Sequence, residues 1–203
     1  LSLAESAAGL GMELFVMDDG WFGERNHDKS GLGDWTANRA KLPSGLRGFS
    51  EKLRNLSMKF GIWIEPEMVN EDSALFRAHP DWCLQVPGRS PNLERCQLVL
   101  DLSRQNVRDY LFDCISKVLD ESQASYVKWD MNRNLSDVWS AALPASRQGE
   151  VSHRYVLGLY ELMERLTGTY PDILWEGCSG GGGRFDAGIF CYMPQIWCSD
   201  NTD

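Results

Sequence analysis

The segment YVKWDMNR, residues 126–133, sets Lys128 and Asp130 two positions apart in a short apolar run. If the run is a strand, both side chains share one face. A lysine beside an aspartate favours the ionised carboxylate, and an ionised carboxylate can act as the nucleophile of a glycosidase. A structural ion pair at a strand end is the bland alternative. A second carboxylate closes IWCSDNTD, residues 196–203: Asp200, with Asp203 three later. Asp200 could be a general acid or a turn former, because Asx residues commonly build turns. Retaining glycosidases need two carboxyl groups about 5–5.5 Å apart across the scissile bond, so the pair matters only if one fold brings both to the same place.

Other residues could serve such a centre. Asp18 and Asp19 end the run ELFVM and could both reach a polyol where the chain turns. Paired carboxylates also suit a metal, but the only histidine near them is His27 and no second cluster has ligand spacing, so metal binding is not expected. CSGGGGRFD, residues 178–186, lacks the Gly-Lys-[Ser/Thr] ending of a phosphate loop, which argues against nucleotide binding. Its glycines let backbone N–H groups approach a ligand closely, or simply make a flexible turn. Trp63 and Trp129 could stack on a sugar ring or belong to the core. His27, His79 and His153 are scattered and receive no role.

These groups can meet only if distant segments converge. Apolar runs recur at residues 13–17, 60–68, 96–103, 125–132, 172–183 and 193–203. Helical spacing marks residues 1–9 and 44–59, the second through Leu46, Phe49, Leu53 and Leu56. It recurs at about 104–121, with Ser103 as N-cap and Val107, Leu111, Ile115, Val118 and Leu119 on one face. A further helix at about 150–167 carries Tyr155, Leu159, Leu162 and Leu166. Strands alternating with helices predict the α/β class with a parallel, doubly covered sheet. Each run ends in polar groups: Asp18 and Asp19, Glu65 and Glu67, Asp101, Lys128 and Asp130, Glu176 and Cys178, and Asp200. That suits a (β/α)8 barrel, whose strand ends share one active face. A doubly wound sheet would need a glycine-rich phosphate turn after its first strand, and DDGWFG is not one. A full barrel takes about 250 residues. The 203 residues are therefore expected to be one partial catalytic barrel, residues 1–203, with about six of eight strands present. Such a unit leaves sheet edges open and is expected to be inactive and aggregation-prone by itself.

Composition narrows the function. Asp+Glu number 29 against 20 Lys+Arg, a net charge of −9, which disfavours nucleic acid and anionic membranes as partners. No run reaches the ~18 apolar residues of a membrane span. The N-terminus has no basic stretch of the signal-peptide kind and no initiator Met, so the chain is expected to start inside a longer protein. The six cysteines contain no Cys-x-x-Cys pair, and reduced thiols in a cytoplasmic protein are favoured over disulfides.

DDGWFG, GIWIEPEMV, LVLDLSR, YVKWDMNR, CSGGGGRFD and PQIWCSDNTD occur in that order, from about residue 10 to the last. Together they resemble the catalytic barrel of the melibiase-type alpha-galactosidases, glycoside hydrolase family 36. The resemblance implies a retaining exo-glycosidase that removes terminal alpha-galactosyl residues from oligosaccharides such as melibiose or raffinose, with no metal or organic cofactor. It implies a larger cytoplasmic protein with flanking β domains, commonly a homo-oligomer. Residue by residue, Asp130 matches the nucleophile and Asp200 the acid/base. Asp18 and Asp19 match the pair that holds the galactose 4- and 6-hydroxyls, and Trp63 a pocket aromatic. Arg95 and Lys128 match basic hydroxyl-binding residues, and Cys178 and Gly181 the loop at the 2-hydroxyl. Asn132 joins them because it shares a face with Asp130. Arg95 stands in Glu-Arg-Cys-Gln, where the family pattern is Gly-Arg-Asn-Gln. An alpha-N-acetylgalactosaminidase, a raffinose-synthase-like transglycosidase and a non-catalytic sugar-binding barrel are the alternatives on this scaffold.

Overall fold

The computed structural model describes residues 1–202; Asp203 lies outside the described residues. In chain order the elements are α1 (Ser2–Gly9), β1 (Leu14–Met17), α2 (Gly45–Asn55), β2 (Lys59–Ile64), β3 (Met68–Asn70), α3 (Ala74–Ala78), β4 (Gln97–Val99), α4 (Gln105–Ser122), β5 (Tyr126–Trp129), α5 (Val151–Thr169), β6 (Leu174–Gly177), α6 (Ala187–Phe190) and β7 (Gln195–Ile196). β1, β2, β5, β6 and β7 form one parallel sheet in that order. Neighbouring strands are joined through helices, as parallel pairing requires.

The hydrophobic spacing explains the packing. Val107, Leu111, Ile115, Val118 and Leu119 of α4 are all buried, as are Tyr155, Leu159, Leu162 and Leu166 of α5. α4 packs between α2 and α5. α2 buries Leu46 and Leu53 and lies on β2, whose last five residues are all buried.

Two expectations are corrected. The sheet has five strands among the described residues, not six. Run 96–103 yields only β4, which pairs antiparallel with β3 outside the main sheet. The edge it would need is occupied, because Gly61–Ile64 of β2 pairs directly with Tyr126–Trp129 of β5. The segment after β4 instead lies under α5, so close that a Cβ on Gly158 would run into the Leu102 carbonyl oxygen. Its strand-end carboxylate, Asp101, is consequently buried, accepting hydrogen bonds from the Ser103 and Ser140 hydroxyls. Ser103 is thereby drawn away from capping: Arg104 occupies the α4 N-cap position, and among the described residues no side chain caps that end.

Candidate active site

Register places the chemistry. Trp63 lies opposite Lys128, Lys128 opposite Glu176, and Glu176 opposite Gln195, a row across one face of the sheet. The strand period of two carries the same face onward to Glu65, Asp130 and Cys178 at the C-terminal ends of β2, β5 and β6. A cavity of about 380 Å³ opens there. It gathers Asp18, Asp19, Trp63, Arg95, Lys128, Asp130, Asn132 and Asp200, eight residues singled out from the sequence, and adds Arg25, Glu65 and Trp197. A larger cavity of about 800 Å³ lies between residues 23–41 and residues 74–79, but it contains none of these groups. Convergent ionisable chemistry, rather than volume, identifies the smaller cavity as the site.

Asp130 is buried and fully engaged. Its Oδ2 accepts from Trp63 Nε1 at 3.1 Å and Asn132 Nδ2 at 2.7 Å, and its Oδ1 from the Met131 N–H at 2.8 Å. Trp63 therefore serves the site through its indole N–H, and Trp129 is core, donating instead to Glu67. Lys128 shares the cavity with Asp130, as expected, but its ion pair is with Asp18, at 3.4 Å, and its Nζ lies 4.8 Å from the Trp197 ring centroid. Asp200 opens a 3-10 turn on the exposed rim of the cavity.

Asp19 is held by Arg25, a residue missed in the sequence. The buried guanidinium donates from Nη2 at 2.8 Å and Nε at 3.0 Å, and its Nη1 donates to Asn70 Oδ1. Asn70 is fully buried, accepts also from the Leu32 N–H, and donates through Nδ2 to the Cys96 carbonyl at 2.8 Å. One amide thus braces both Asp19 and the turn that carries Arg95. That turn is strained: Arg95 and Cys96 have φ of 53° and 57°, left-handed values uncommon for residues with a Cβ.

Cys178 and Gly181 do not line the cavity. Cys178 is buried with its thiol beside the Asp130 carboxylate; burial first and Asp130 second push the thiol up to about 12, so it remains a donor. Gly181, at φ +85°, faces backbone: a Cβ there would stand 2.9 Å from Ser199 Cα and 3.1 Å from the Asp200 nitrogen. Its part in the fold is to let the β6 loop lie against the segment bearing Asp200.

Glu65 and Glu67, named only as strand-end carboxylates, are both fully buried. Glu65 Oε1 accepts from the Asn132 N–H at 2.7 Å and Oε2 from Gln97 Nε2 at 3.0 Å. Burial, then the nearby Asp130, push its carboxyl up to about 8. Glu67 is gripped by Arg184 at 2.6 and 2.8 Å, by the Tyr155 hydroxyl at 2.5 Å and by Trp129 Nε1 at 2.9 Å. Two carboxylates in IWIEPEM were the available signal; nothing local distinguishes their partners. Among the described residues no group of three or more His, Cys, Asp or Glu is arranged to hold a metal ion.

The melibiase family model matches residues 1–203. Alpha-galactosidase 1 of Pediococcus pentosaceus is 60% identical over 201 residues, covering 99% of this chain and 27% of that protein. A crystal structure of the glycoside hydrolase family 36 alpha-galactosidase AgaA of Geobacillus stearothermophilus, a variant in complex with raffinose, superposes with a TM-score of 0.98 at 55% identity, covering 100% of this chain and 28% of that one. A second variant of the same enzyme, in complex with stachyose, gives a TM-score of 0.97 with the same identity and coverage. The chain spans just over a quarter of the length of these relatives.

Proposed function

Since the chain belongs to the melibiase family, we propose that it carries the catalytic face of a retaining exo-alpha-galactosidase. The observation that carries this reading is Asp130: a buried carboxylate held by three donors at a strand end, opening on a polar cavity that Asp200 also lines. In this reading a carboxylate oxygen of Asp130 attacks the anomeric carbon. The bond to the leaving oxygen breaks as Asp200 gives that oxygen its proton. Asp200, now a base, takes a proton from water, whose oxygen attacks the same carbon and expels Asp130, releasing galactose with its configuration retained.

Asp18 and Asp19, with Lys128 and Arg95, form the polar side of the pocket for ring hydroxyls. The 2-hydroxyl side of the pocket is the side nearest Cys178, whose thiol stands beside Asp130 behind the cavity wall, because C2 adjoins the carbon that Asp130 would bond. The short coverage of the relatives supports a larger protein in which other segments complete the barrel and carry the flanking β domains. The raffinose and stachyose bound by the AgaA variants support alpha-galactosyl oligosaccharides as the substrate class.

The test is Asp130→Ala in the enzyme that carries this chain. Hydrolysis of an aryl alpha-galactoside should fall by about 10,000-fold or more. Azide should restore part of it by occupying the vacated space, and the first galactose released by the wild type should be the alpha anomer. Wild-type-like turnover by the variant removes Asp130 from the chemistry, and a beta first product makes the enzyme inverting.

A further inference from the structure

Glu65 faces the catalytic cavity without any exposure of its own, and both of its hydrogen-bond donors are neutral. The charged groups that act on it are Asp130, from the end of β5, and Arg95, from the turn before β4; Asp18, Asp19, Arg25, Lys128 and Asp200 stand further round the same cavity. Its two contacts differ in consequence. The Asn132 N–H binds Glu65 Oε1, while the Asn132 side chain binds Asp130 Oδ2, each at 2.7 Å. Asn132 is therefore a bridge from Glu65 to Asp130. On the other side, Gln97 Nε2 meets Glu65, but Gln97 Oε1 is buried and accepts no hydrogen bond from the described residues.

A carboxylate only accepts, so it leaves that orphan oxygen unsatisfied. A carboxylic acid also donates, so it can pair with Gln97 in either orientation of the amide, whereas a carboxylate can pair only with Nε2. A buried carboxylate without a cation in contact is also costly, and more so beside a second carboxylate. Resting on the reading of Asp130 as the nucleophile, we propose that Glu65 is a positioning residue that works as a neutral carboxylic acid, fixing Asn132 so that Asn132 fixes Asp130. The upward push on the Glu65 carboxyl, from burial and then from Asp130, agrees with this geometry. Neutrality keeps a second anion out of the site while leaving an acceptor for the Asn132 N–H. The arrangement resembles in principle other sites where environment divides two carboxyl groups between an ionised and a protonated role.

The experiment combines kinetics with a readout that needs no turnover. Glu65→Ala should lower kcat by about 100-fold, the scale of a small misplacement of a reacting group, with KM changed by less than about threefold. Asn132→Ala should cost a similar factor. The double variant should be no more than about threefold worse than the weaker single one, because both act along one path. Glu65→Gln should keep kcat within about tenfold of wild type: its amide oxygen accepts from the Asn132 N–H and, with the Gln97 amide turned end for end, its NH2 donates to Gln97 Oε1. In the infrared difference between wild type and Glu65→Gln, a protonated-carboxyl band should be present at pH 6 and fade as pH rises through about 8. The infrared arm decides the protonation even if Glu65→Ala fails to fold. Absence of that band, multiplication of the two losses, or a Glu65→Gln as damaged as Glu65→Ala overturns the proposal. A normal band together with an active Asp130→Ala would instead sink the assignment of Asp130.

Discussion

Glu65 and Glu67 leave the same strand two positions apart, both without exposure, and lie in opposite environments. Glu65 turns toward the cavity and meets an N–H, an amide and a neighbouring carboxylate. Glu67 turns inward and meets a bidentate guanidinium, a phenol and an indole. One acid is left adjustable, whereas the other fastens the loop after β6 to the turn after β2. Identical side chains at the same depth thus differ by their partners, and those partners come from β4, β5, α5 and the β6 loop rather than from the local sequence. Burial alone does not distinguish a group tuned for chemistry from a rivet.

The two acids should differ most in what they contribute to stability. Glu67→Gln leaves the mostly covered Arg184 guanidinium without its counter-charge and should destabilise the fold by about 2–4 kcal/mol, read from denaturant unfolding. Replacing the pair together, Glu67→Gln with Arg184→Met, removes the stranded charge while the amide oxygen at 67 still accepts from Tyr155 or Trp129, and should recover part of that loss. A cost below about 1 kcal/mol for the single change would mean that Glu67 is no more fixed than Glu65.

A smaller effect is on pH dependence. The Glu65 carboxyl is raised in the fold from its ordinary 4.5 to about 8. Between those values the unfolded chain has lost the proton that the folded chain retains, so Glu65 makes stability fall as pH rises through the window and level off above it. Glu65→Gln should flatten that part of the profile, and an unaltered slope would show that Glu65 titrates normally.

The smallest effect concerns the turn that delivers Gln97, the neutral partner of Glu65. Cys96 at φ 57° carries a Cβ where asparagine is better tolerated, so Cys96→Asn should stabilise by about 0.5 kcal/mol, seen as a small rise in Tm. A fall in Tm would mean that the thiol makes a contact worth more than the backbone strain.

Sequence reasoning found what depends on local period. Lys128 and Asp130 share a face because strands alternate, and α4 and α5 bury the stripes that helical spacing marked. It failed where meaning comes from a distant partner. The run 96–103 has the apolar character of a sheet strand, but the edge beside β2 belongs to β5, and no pattern within the run reveals that. Arg25 looks like an ordinary loop cation until Asn70, 45 residues on, braces it against Asp19. Lys128 is the nearest cation to Asp130 in sequence, yet its ion pair is with Asp18, 110 residues away. Gly181 was legible as a site of close approach, but what approaches it in this structure is the backbone of Ser199 and Asp200.

That glycine contact has a mechanical meaning. Gly181 meets the main chain at Ser199 and Asp200, and a Cβ on Gly182 would lie 2.8 Å from the Cys198 carbonyl oxygen. Side chains at a seam can yield by changing rotamer, whereas peptide planes cannot. The β6 loop therefore acts as a spacer of fixed thickness behind the segment bearing Asp200. Tolerance at this place is one-sided: the spacer cannot be thickened by even one methyl group without pushing the segment that carries Asp200 out of place.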